Sequence, residues 1–231
     1  MIALLKLEFT KFKLSKYGIN FIIITVVILV MTALMGSSVI DGEIMFKTAE
    51  DLFEFGDVVI RIVFTIFSGV LLSKLIISEF SNSTIKIMFT YPISRRKIMR
   101  AKLIIIWLFV FAAIVLESIL FGAAMQVIDR FISVTPDIVT FSDLTNRVSV
   151  IFYNAVVTSG LSLISLFFGM RKKSTSATIV ASVIVSSLIN STSGNQGWSL
   201  FSSTVIPVFL CIIGVMIAYF SYYKIDKIDI N

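Results

Sequence analysis

The stretch Gly18–Gly36 reads GINFIIITVVILVMTALMG and contains no charged residue. A helix needs about 20 predominantly apolar residues to cross the hydrocarbon core of a bilayer. The lysine-rich residues before it are also typical of secretory signal peptides, but this apolar run is longer than a signal core and no clear cleavage site follows. The stretch therefore predicts a retained membrane-spanning helix.

Five further apolar segments follow along the chain. Of its 231 residues, 57% are apolar and 15% are charged, whereas soluble domains average about 45–50% and about 25%. Water could not solvate a protein with so much apolar surface, so lipid must solvate most of it. The sequence predicts an all-α, polytopic membrane protein with a single domain over residues 1–231. The other five predicted spans are approximately Val58–Ser78, Leu103–Val127, Val148–Met170, Ala177–Ser191 and Ser203–Tyr222.

The composition excludes most soluble chemistry. The chain has no histidine and a single cysteine, Cys211, which excludes histidine-dependent catalysis and cysteine-cluster metal sites. Neither a G-x-x-x-x-G-K-[ST] phosphate loop nor a G-x-G-x-x-G motif occurs in the sequence. We therefore predict no catalytic residue, cofactor or metal site in this chain, which is not an enzyme itself. Any ATP chemistry must come from another chain.

The distribution of basic residues predicts the orientation. Lysine and arginine concentrate in residues 6–16, 86–102, 171–173 and 224–227, which share one side if the chain has six spans. Such loops stay in the cytoplasm, so both termini are predicted to be cytoplasmic. The net charge of +6 then reflects membrane topology, and nucleic acid is not expected as a partner. An acidic loop, Asp41–Asp57, is predicted on the other side, and its role stays open.

Two segments beside the spans have their own patterns. Residues 1–17 place Leu5, Phe9 and Phe12 on one helical face, which predicts an interfacial helix lying on membrane lipid. This helix is either an anchor that sets the topology or a moving gate. Residues 191–206 begin with a polar stretch that contains two glycines, and they predict either an external loop or a re-entrant hairpin.

The loop Glu79–Lys102 reads EFSNSTIKIMFTYPISRRKIMRAK and is longer than a simple turn requires. Its periodicity predicts a short helix over residues 79–92. Pro92 ends this helix, and Ser94 is a candidate N-cap for the next one. The pattern favours a surface that docks another protein, with a helix resting on lipid as the alternative. The apolar and aromatic face consists of Phe80, Thr84, Ile87 and Tyr91.

Glu117 is the one acidic residue well inside a predicted span. A charged carboxylate at that depth is costly, so it is expected to be paired, neutral or turned toward other helices. Arg61, near one end of the second span, is a possible partner. Two interpretations stay open: a cargo- or proton-responsive site, or a structural polar contact between helices or protomers.

Within the loop, the chain resembles the membrane subunits of ABC transporters of the ABC-2 permease type. The positions that carry the resemblance are Glu79, Thr84-Ile-Lys86, Tyr91-Pro-Ile-Ser-Arg95 and Lys102. Many members have glycine where this chain has Ser83. The layout is also similar, with an interfacial helix, six spans, a short fifth span and a polar excursion before the sixth.

This resemblance implies a permease that pairs with a second permease copy, identical or related, and with cytoplasmic ATPase subunits that bind ATP and Mg. The helix over residues 79–92 would be the coupling helix that docks in the ATPase. Its implied coupling residues are Glu79, Phe80, Ser83, Thr84, Lys86, Ile87 and Tyr91.

The chain looks most like bacterial plasma-membrane permeases for bacitracin resistance, lantibiotic immunity and phenol-soluble modulin export. That resemblance implies ATP-driven export of amphipathic or membrane-active peptides, such as toxins or antimicrobial peptides. Two other functions stay open: a stand-alone secondary transporter or channel, and a membrane sensor or scaffold that transports nothing.

Overall fold

The structure is a computed structural model that describes residues 17–36, 39–40, 43–81, 95–132, 134–135, 141–193, 198–199, 201 and 204–223. Helices make up most of this part of the chain, and its strands are four segments of two residues each. Inside a bilayer, every backbone N–H and C=O group must find its partner within the protein. Helices meet that requirement locally, which explains why the apolar segments adopt them.

The helices are numbered in chain order. They are α1 (Tyr17–Gly36), α2 (Ala49–Leu72), α3 (Ser78–Ser81), α4 (Arg95–Ile132), α5 (Phe141–Asn146), α6 (Val148–Ser162), α7 (Ile164–Lys172), α8 (Thr175–Asn190) and α9 (Val205–Tyr223). A π-helical turn, Ser73–Ile77, joins α2 to α3. Strand β1 (Val39–Ile40) pairs antiparallel with β2 (Glu43–Ile44), and β3 (Thr192–Ser193) with β4 (Trp198–Ser199).

Six helical stretches coincide with the six predicted spans. In the described part of the chain, four are long and apolar enough to cross a membrane, and two apolar helices are shorter. Many large apolar side chains on these helices are exposed, including Ile22 on α1 and Leu188 on α8, as expected for surfaces that lipid covers. The all-α, polytopic membrane fold is therefore confirmed. The four longer stretches are Gly18–Gly36, Ala49–Ile77, Lys97–Phe131 and Val148–Lys172, and the shorter ones are Thr175–Asn190 and Val205–Ser221.

The described chain divides into two compact units. Of the described residues, the first unit comprises those within 62–111 and 156–223, and the second comprises those within 17–61 and 112–155. Because the divisions fall inside α2, α4 and α6, each of these helices contributes residues to both units.

Small residues bring helices close together in the first unit. A Cβ on Gly69 of α2 would overlap the side chain of Ser182 on α8. A Cβ on Gly214 of α9 would overlap the backbone carbonyl of Gly160 on α6. Helices in lipid associate through such close packing, because burial of apolar surface offers them little gain there.

The second unit packs around aromatic rings. The rings of Phe53 on α2 and Phe121 on α4 meet edge to face, with centroids 6.5 Å apart. A Cβ on Gly56, one turn after Phe53, would overlap the Phe121 ring. The glycine thus makes room for an aromatic pair that lies in the core of this unit.

The second span begins much earlier than predicted, at Ala49 instead of Val58. The cause is a capping box: the Thr48 amide donates to Asp51 Oδ2 at 3.0 Å, and the Asp51 amide donates to Thr48 Oγ1 at 3.2 Å. The predicted acidic loop Asp41–Asp57 is therefore wrong over its second half. Four of its acidic residues lie on α2, namely Glu50, Asp51, Glu54 and Asp57.

The third and fourth spans also differ from their predicted bounds. Helix α4 begins at Arg95, directly after the predicted N-cap Ser94, and runs for 38 residues. At 1.5 Å per residue it is about 57 Å long, so it extends well beyond a hydrocarbon core of about 30 Å. The fourth span is broken at Leu163, whose amide donates to the Gly160 carbonyl at 3.1 Å in a tighter turn.

The polar segment 191–206 contains a short β-hairpin in its described part. Thr192 pairs with Ser199 and Ser193 with Trp198, and α9 begins at Val205. Such a hairpin is compatible with both predicted alternatives, an external loop and a re-entrant segment.

We expect Gly214→Ala to lower the free energy of unfolding by about 1–3 kcal/mol, the usual effect of overpacking. The added methyl group would meet a backbone carbonyl, which cannot turn away as a side chain can. Thermal unfolding of the purified protein in detergent measures the effect. Gly18→Ala is the matched control, because no described atom lies within 4 Å of a Cβ there. An equal loss in both variants would contradict the packing explanation.

Candidate coupling site and buried polar contacts

The helix of the second span changes its winding just before the loop that was predicted to dock a partner. Residues Ser73–Ile77 form the π-helical turn, and α3 continues the helix directly after it. Single π turns inside α-helices are frequent at functional sites. Glu79 and Phe80 lie on α3, so they prolong the second span. The rest of the predicted helix over residues 79–92 lies outside the described residues, so that helix stays a prediction.

Lys102 of α4 contacts the end of this helix through its ammonium group. Its Nζ donates to Oε1 of Glu79 at 2.8 Å and to the backbone carbonyl of Leu75 at 3.2 Å. Only 3% of the Lys102 side chain and 14% of the Glu79 side chain is exposed. Removing one partner of a buried ion pair is costly, because the other charge then stays buried without a counter-ion. We refer to Lys102, Glu79 and the Leu75 carbonyl as the Lys102 staple.

The Lys102 staple holds together the two ends of the loop. Glu79 precedes residues 82–94 and Lys102 follows them, so the ion pair joins α3 to α4 across this segment. Sequence reasoning included Lys102 in the family motif but not among the coupling residues. In the sequence, an acidic residue precedes the loop and a basic residue follows it, and each adjoins an apolar run. This pattern could have predicted the ion pair.

Most of the predicted coupling residues lie outside the described part of the chain, and so do those of the interfacial helix. Their roles stay predictions. They are Ser83, Thr84, Lys86, Ile87 and Tyr91 for coupling, and Leu5, Phe9 and Phe12 for the interfacial helix.

Glu117 of α4 is fully buried in the second unit. Its Oε2 lies 2.7 Å from the hydroxyl oxygen of Thr25 on α1, which also lies 3.0 Å from the Phe21 carbonyl. A hydroxyl group has one proton to donate. The Thr25 hydroxyl group therefore shares its one proton between Glu117 Oε2 and the Phe21 carbonyl. The other carboxyl oxygen, Oε1, has no hydrogen-bond partner among the described residues.

The predicted pairing of Glu117 with Arg61 is wrong. Thr25 is the hydrogen-bonding partner of Glu117, and Nη1 of Arg61 donates to Oδ1 of Asn154 on α6 at 3.5 Å. Asp57 lies one turn before Arg61 on α2, so an opposite charge is already available to the guanidinium from its own helix.

A second ion pair connects α2 with the residue just before α6. Nη2 of Arg147 donates to Oδ2 of Asp57 at 2.7 Å, and the two side chains are 16% and 13% exposed. The guanidinium carbon of Arg147 also lies 5.3 Å from the centroid of the Phe53 ring, a cation–π distance. Sequence reasoning treated both charged residues only as topology signals. Opposite charges at the ends of two predicted spans were the signal that could have found this pair.

Hydroxyl groups form a short hydrogen-bonded chain inside the first unit. Ser68 on α2 donates to Ser162 on α6 at 2.8 Å, and Ser162 donates to the Ser159 carbonyl at 2.8 Å. Such contacts between helices in membranes are worth about 0.6 kcal/mol on average. In the part of the chain that the structure describes, no group of three acidic or cysteine side chains could hold a metal ion.

The comparisons with known proteins identify the family. The sequence model described as ABC-2 family transporter protein matches residues 4–189. The chain belongs to the ABC-2 transporter family. This ABC-2 permease is therefore a transport membrane subunit and a multi-pass membrane protein, and its features fit a bacterial plasma membrane.

The permease also has a curated relative in Bacillus subtilis (strain 168), described as "Uncharacterized protein YcbO". The two are 35% identical over 227 residues, which cover 98% of this chain and 99% of the relative. No solved structure matches the permease.

We expect Lys102→Met to lower the free energy of unfolding of the permease by about 3–5 kcal/mol, because Glu79 would stay buried without its cation. Adding Glu79→Gln should restore part of that loss, and a double-mutant cycle in detergent unfolding measures the coupling. Lys97→Met is the matched control, since Lys97 is exposed on the same helix. Strict additivity of the two staple substitutions would contradict the pairing.

We expect Glu117→Gln to change the free energy of unfolding by less than about 1 kcal/mol, because the amide oxygen can accept from Thr25 as the carboxyl oxygen does. Thr25→Val leaves the buried carboxyl group without this partner and should cost about 1–3 kcal/mol. The same unfolding assay compares the two variants. If Glu117→Gln costs as much as Thr25→Val, the site requires the carboxyl group itself and an amide cannot replace it.

Proposed function

We propose that this ABC-2 permease is the membrane-spanning subunit of an ATP-driven exporter of amphipathic or membrane-active peptides, including toxins and antimicrobial peptides. A separate cytoplasmic ATPase binds ATP and Mg, and a second permease copy, identical or related, completes the transporter. Such export would give resistance to antimicrobial peptides. Family membership supports the general class, and the resemblance at residues 79–102 supports the ATPase partner. The peptide cargo is supported by the small, His-free, Ile- and Lys-rich sequence, which looks most like bacterial permeases for such peptides.

The observation that carries the coupling part of the proposal is the Lys102 staple. A loop that only connects two spans needs a few residues and no buried ion pair. Here the loop ends are joined by a lysine that is 3% exposed and binds both a carboxylate and a backbone carbonyl. This arrangement suits a loop that receives force from a partner.

In our proposal, the π-helical turn is the site at which the second span bends. In our proposal, closure of the ATPase on ATP displaces the coupling residues, and the Lys102 staple transmits that displacement to α3 and α4 together. Ser73–Ile77 departs from regular α-helical pairing, so the second span has a local site at which its direction can change. The rest of α2 then moves as a stiff helix.

The test is copurification of the tagged permease with a co-expressed ABC ATPase in mild detergent. We expect the ATPase to bind the wild-type permease and to be lost from Thr84→Pro, because proline removes a backbone donor and breaks the coupling helix. Lys97→Gln is the control, since it changes a charge near the loop but lies outside the coupling residues. If a folded wild-type permease binds no ATPase, the chain is a stand-alone transporter or a scaffold.

A second measurement tests the peptide cargo independently of the coupling role. In reconstituted vesicles, cationic amphipathic peptides should stimulate ATP hydrolysis by the wild-type complex, and Glu79→Gln should retain ATPase binding but lose most of this stimulation. If ATPase binds but no amphipathic peptide stimulates hydrolysis, the peptide assignment is wrong and the coupling assignment stands.

A further inference from the structure

An apolar groove runs along α8 in the first unit and encloses about 850 Å³. Its lining extends from Ala177 to Ser191 of this segment, which corresponds to about 21 Å at 1.5 Å per residue. That length accommodates a phospholipid acyl chain. The lining is almost entirely apolar and includes Phe168, Val180, Ile184, Leu188 and Leu210.

One end of the groove is strongly basic. Lys172 is part of the lining and the one charged residue among the lining residues that the structure describes. Arg171 and Lys173 adjoin it, and all three side chains are exposed. We call residues 171–173 the basic turn. Lys173 has a left-handed backbone conformation, with φ of 47°, which ends α7 and lets the chain reverse into α8.

The N-terminus of α8 adds to the positive potential at this end. Ser174 caps the helix by accepting from the Ala177 amide at 3.4 Å, and α8 begins at Thr175. The remaining N–H groups of the first turn and the helix dipole favour an anion nearby. An apolar channel that starts at such a site matches a molecule with an anionic head and an apolar tail.

We propose that this groove binds one anionic phospholipid, with an acyl chain along α8 and the phosphate at the basic turn. Basic sites between membrane helices are known to bind anionic headgroups. The inference does not depend on the proposed peptide export, because any ABC-2 permease in an anionic bilayer could carry such a site.

The charge distribution favours lipid over a second copy of the chain as the occupant. Contact between two copies through this groove, around a two-fold axis along the bilayer normal, would place identical residues at the same depth. The two basic turns would then face each other, and like charges repel. Among the described lining residues no carboxylate compensates Lys172, whereas a lipid phosphate would.

Native mass spectrometry of the purified full chain tests the site. The chain is reconstituted with phosphatidylglycerol or with phosphatidylcholine, extracted in detergent, and the lipid retained per chain is counted. We expect preferential retention of phosphatidylglycerol. Lys172→Gln should weaken it about fivefold, the size expected for one lysine near an anionic lipid surface. Val180→Trp should abolish it, because the indole fills the groove at an exposed position.

Two control variants test whether a loss of lipid retention is specific to the groove. Lys97→Gln removes an exposed basic residue outside the groove, and Val26→Trp adds an indole to an exposed position on α1. Both should retain lipid like the wild type. Equal retention of the two lipids, or retention unaffected by Val180→Trp, would overturn the proposal.

Cross-linking distinguishes lipid from a second copy. Cys211 is the chain's single cysteine, so Ile184→Cys in a Cys211→Ser background places one thiol in the groove. In vesicles containing phosphatidylglycerol, we expect no disulfide between two chains at this position. Efficient formation of such a dimer would show that a second copy occupies the groove and would overturn the lipid assignment.

Discussion

Hydrocarbon offers no hydrogen-bonding partner, and each backbone group left unpaired in it costs several kcal/mol. This constraint explains why the apolar segments are helical. It also explains the side-chain contacts at places where helical pairing is interrupted. Within the π-helical turn, the Leu75 carbonyl accepts from the ammonium of Lys102. At the break in the fourth span, the Leu163 amide turns to the Gly160 carbonyl. At both interruptions, a donor within the protein thus pairs with a backbone carbonyl.

The buried polar side chains follow the same constraint. Within the second unit, Asp57 is paired with Arg147, and Glu117 contacts the Thr25 hydroxyl. Within the first unit, Glu79 is paired with Lys102. Removing both partners of a buried ion pair is often nearly neutral for stability, whereas removing one is costly. An intact pair therefore adds little to total stability, and the arrangement is destabilised chiefly when one partner is lost.

The sequence predicted the spans because length and hydropathy are properties of a segment by itself. It did not predict where helices begin when a local cap decides, as at Thr48 and Asp51, although the T-x-x-D spacing was visible. The π-helical turn lies in SKLII, which contains neither proline nor glycine to indicate it. Contacts between residues distant in the sequence were harder still to predict. The pairing of Glu117 with Arg61 was inferred from opposite charge alone, whereas the structure pairs Glu117 with the Thr25 hydroxyl and Arg61 with Asn154.

The positive-inside rule predicts on which side of the membrane a basic residue lies, but it does not predict what that residue contacts. By the positive-inside rule, Lys102 and Lys172 carry the same information, since both lie in loops predicted to be cytoplasmic. In the structure, Lys102 is 3% exposed and bound to Glu79, so its charge is used inside the protein, where it connects two helices. Lys172 is exposed and lines an apolar groove, so its charge acts outward on whatever enters the groove. Burial or exposure thus decides which partners a charge can have: Lys102 joins two helices, and Lys172 is accessible to a partner outside the protein.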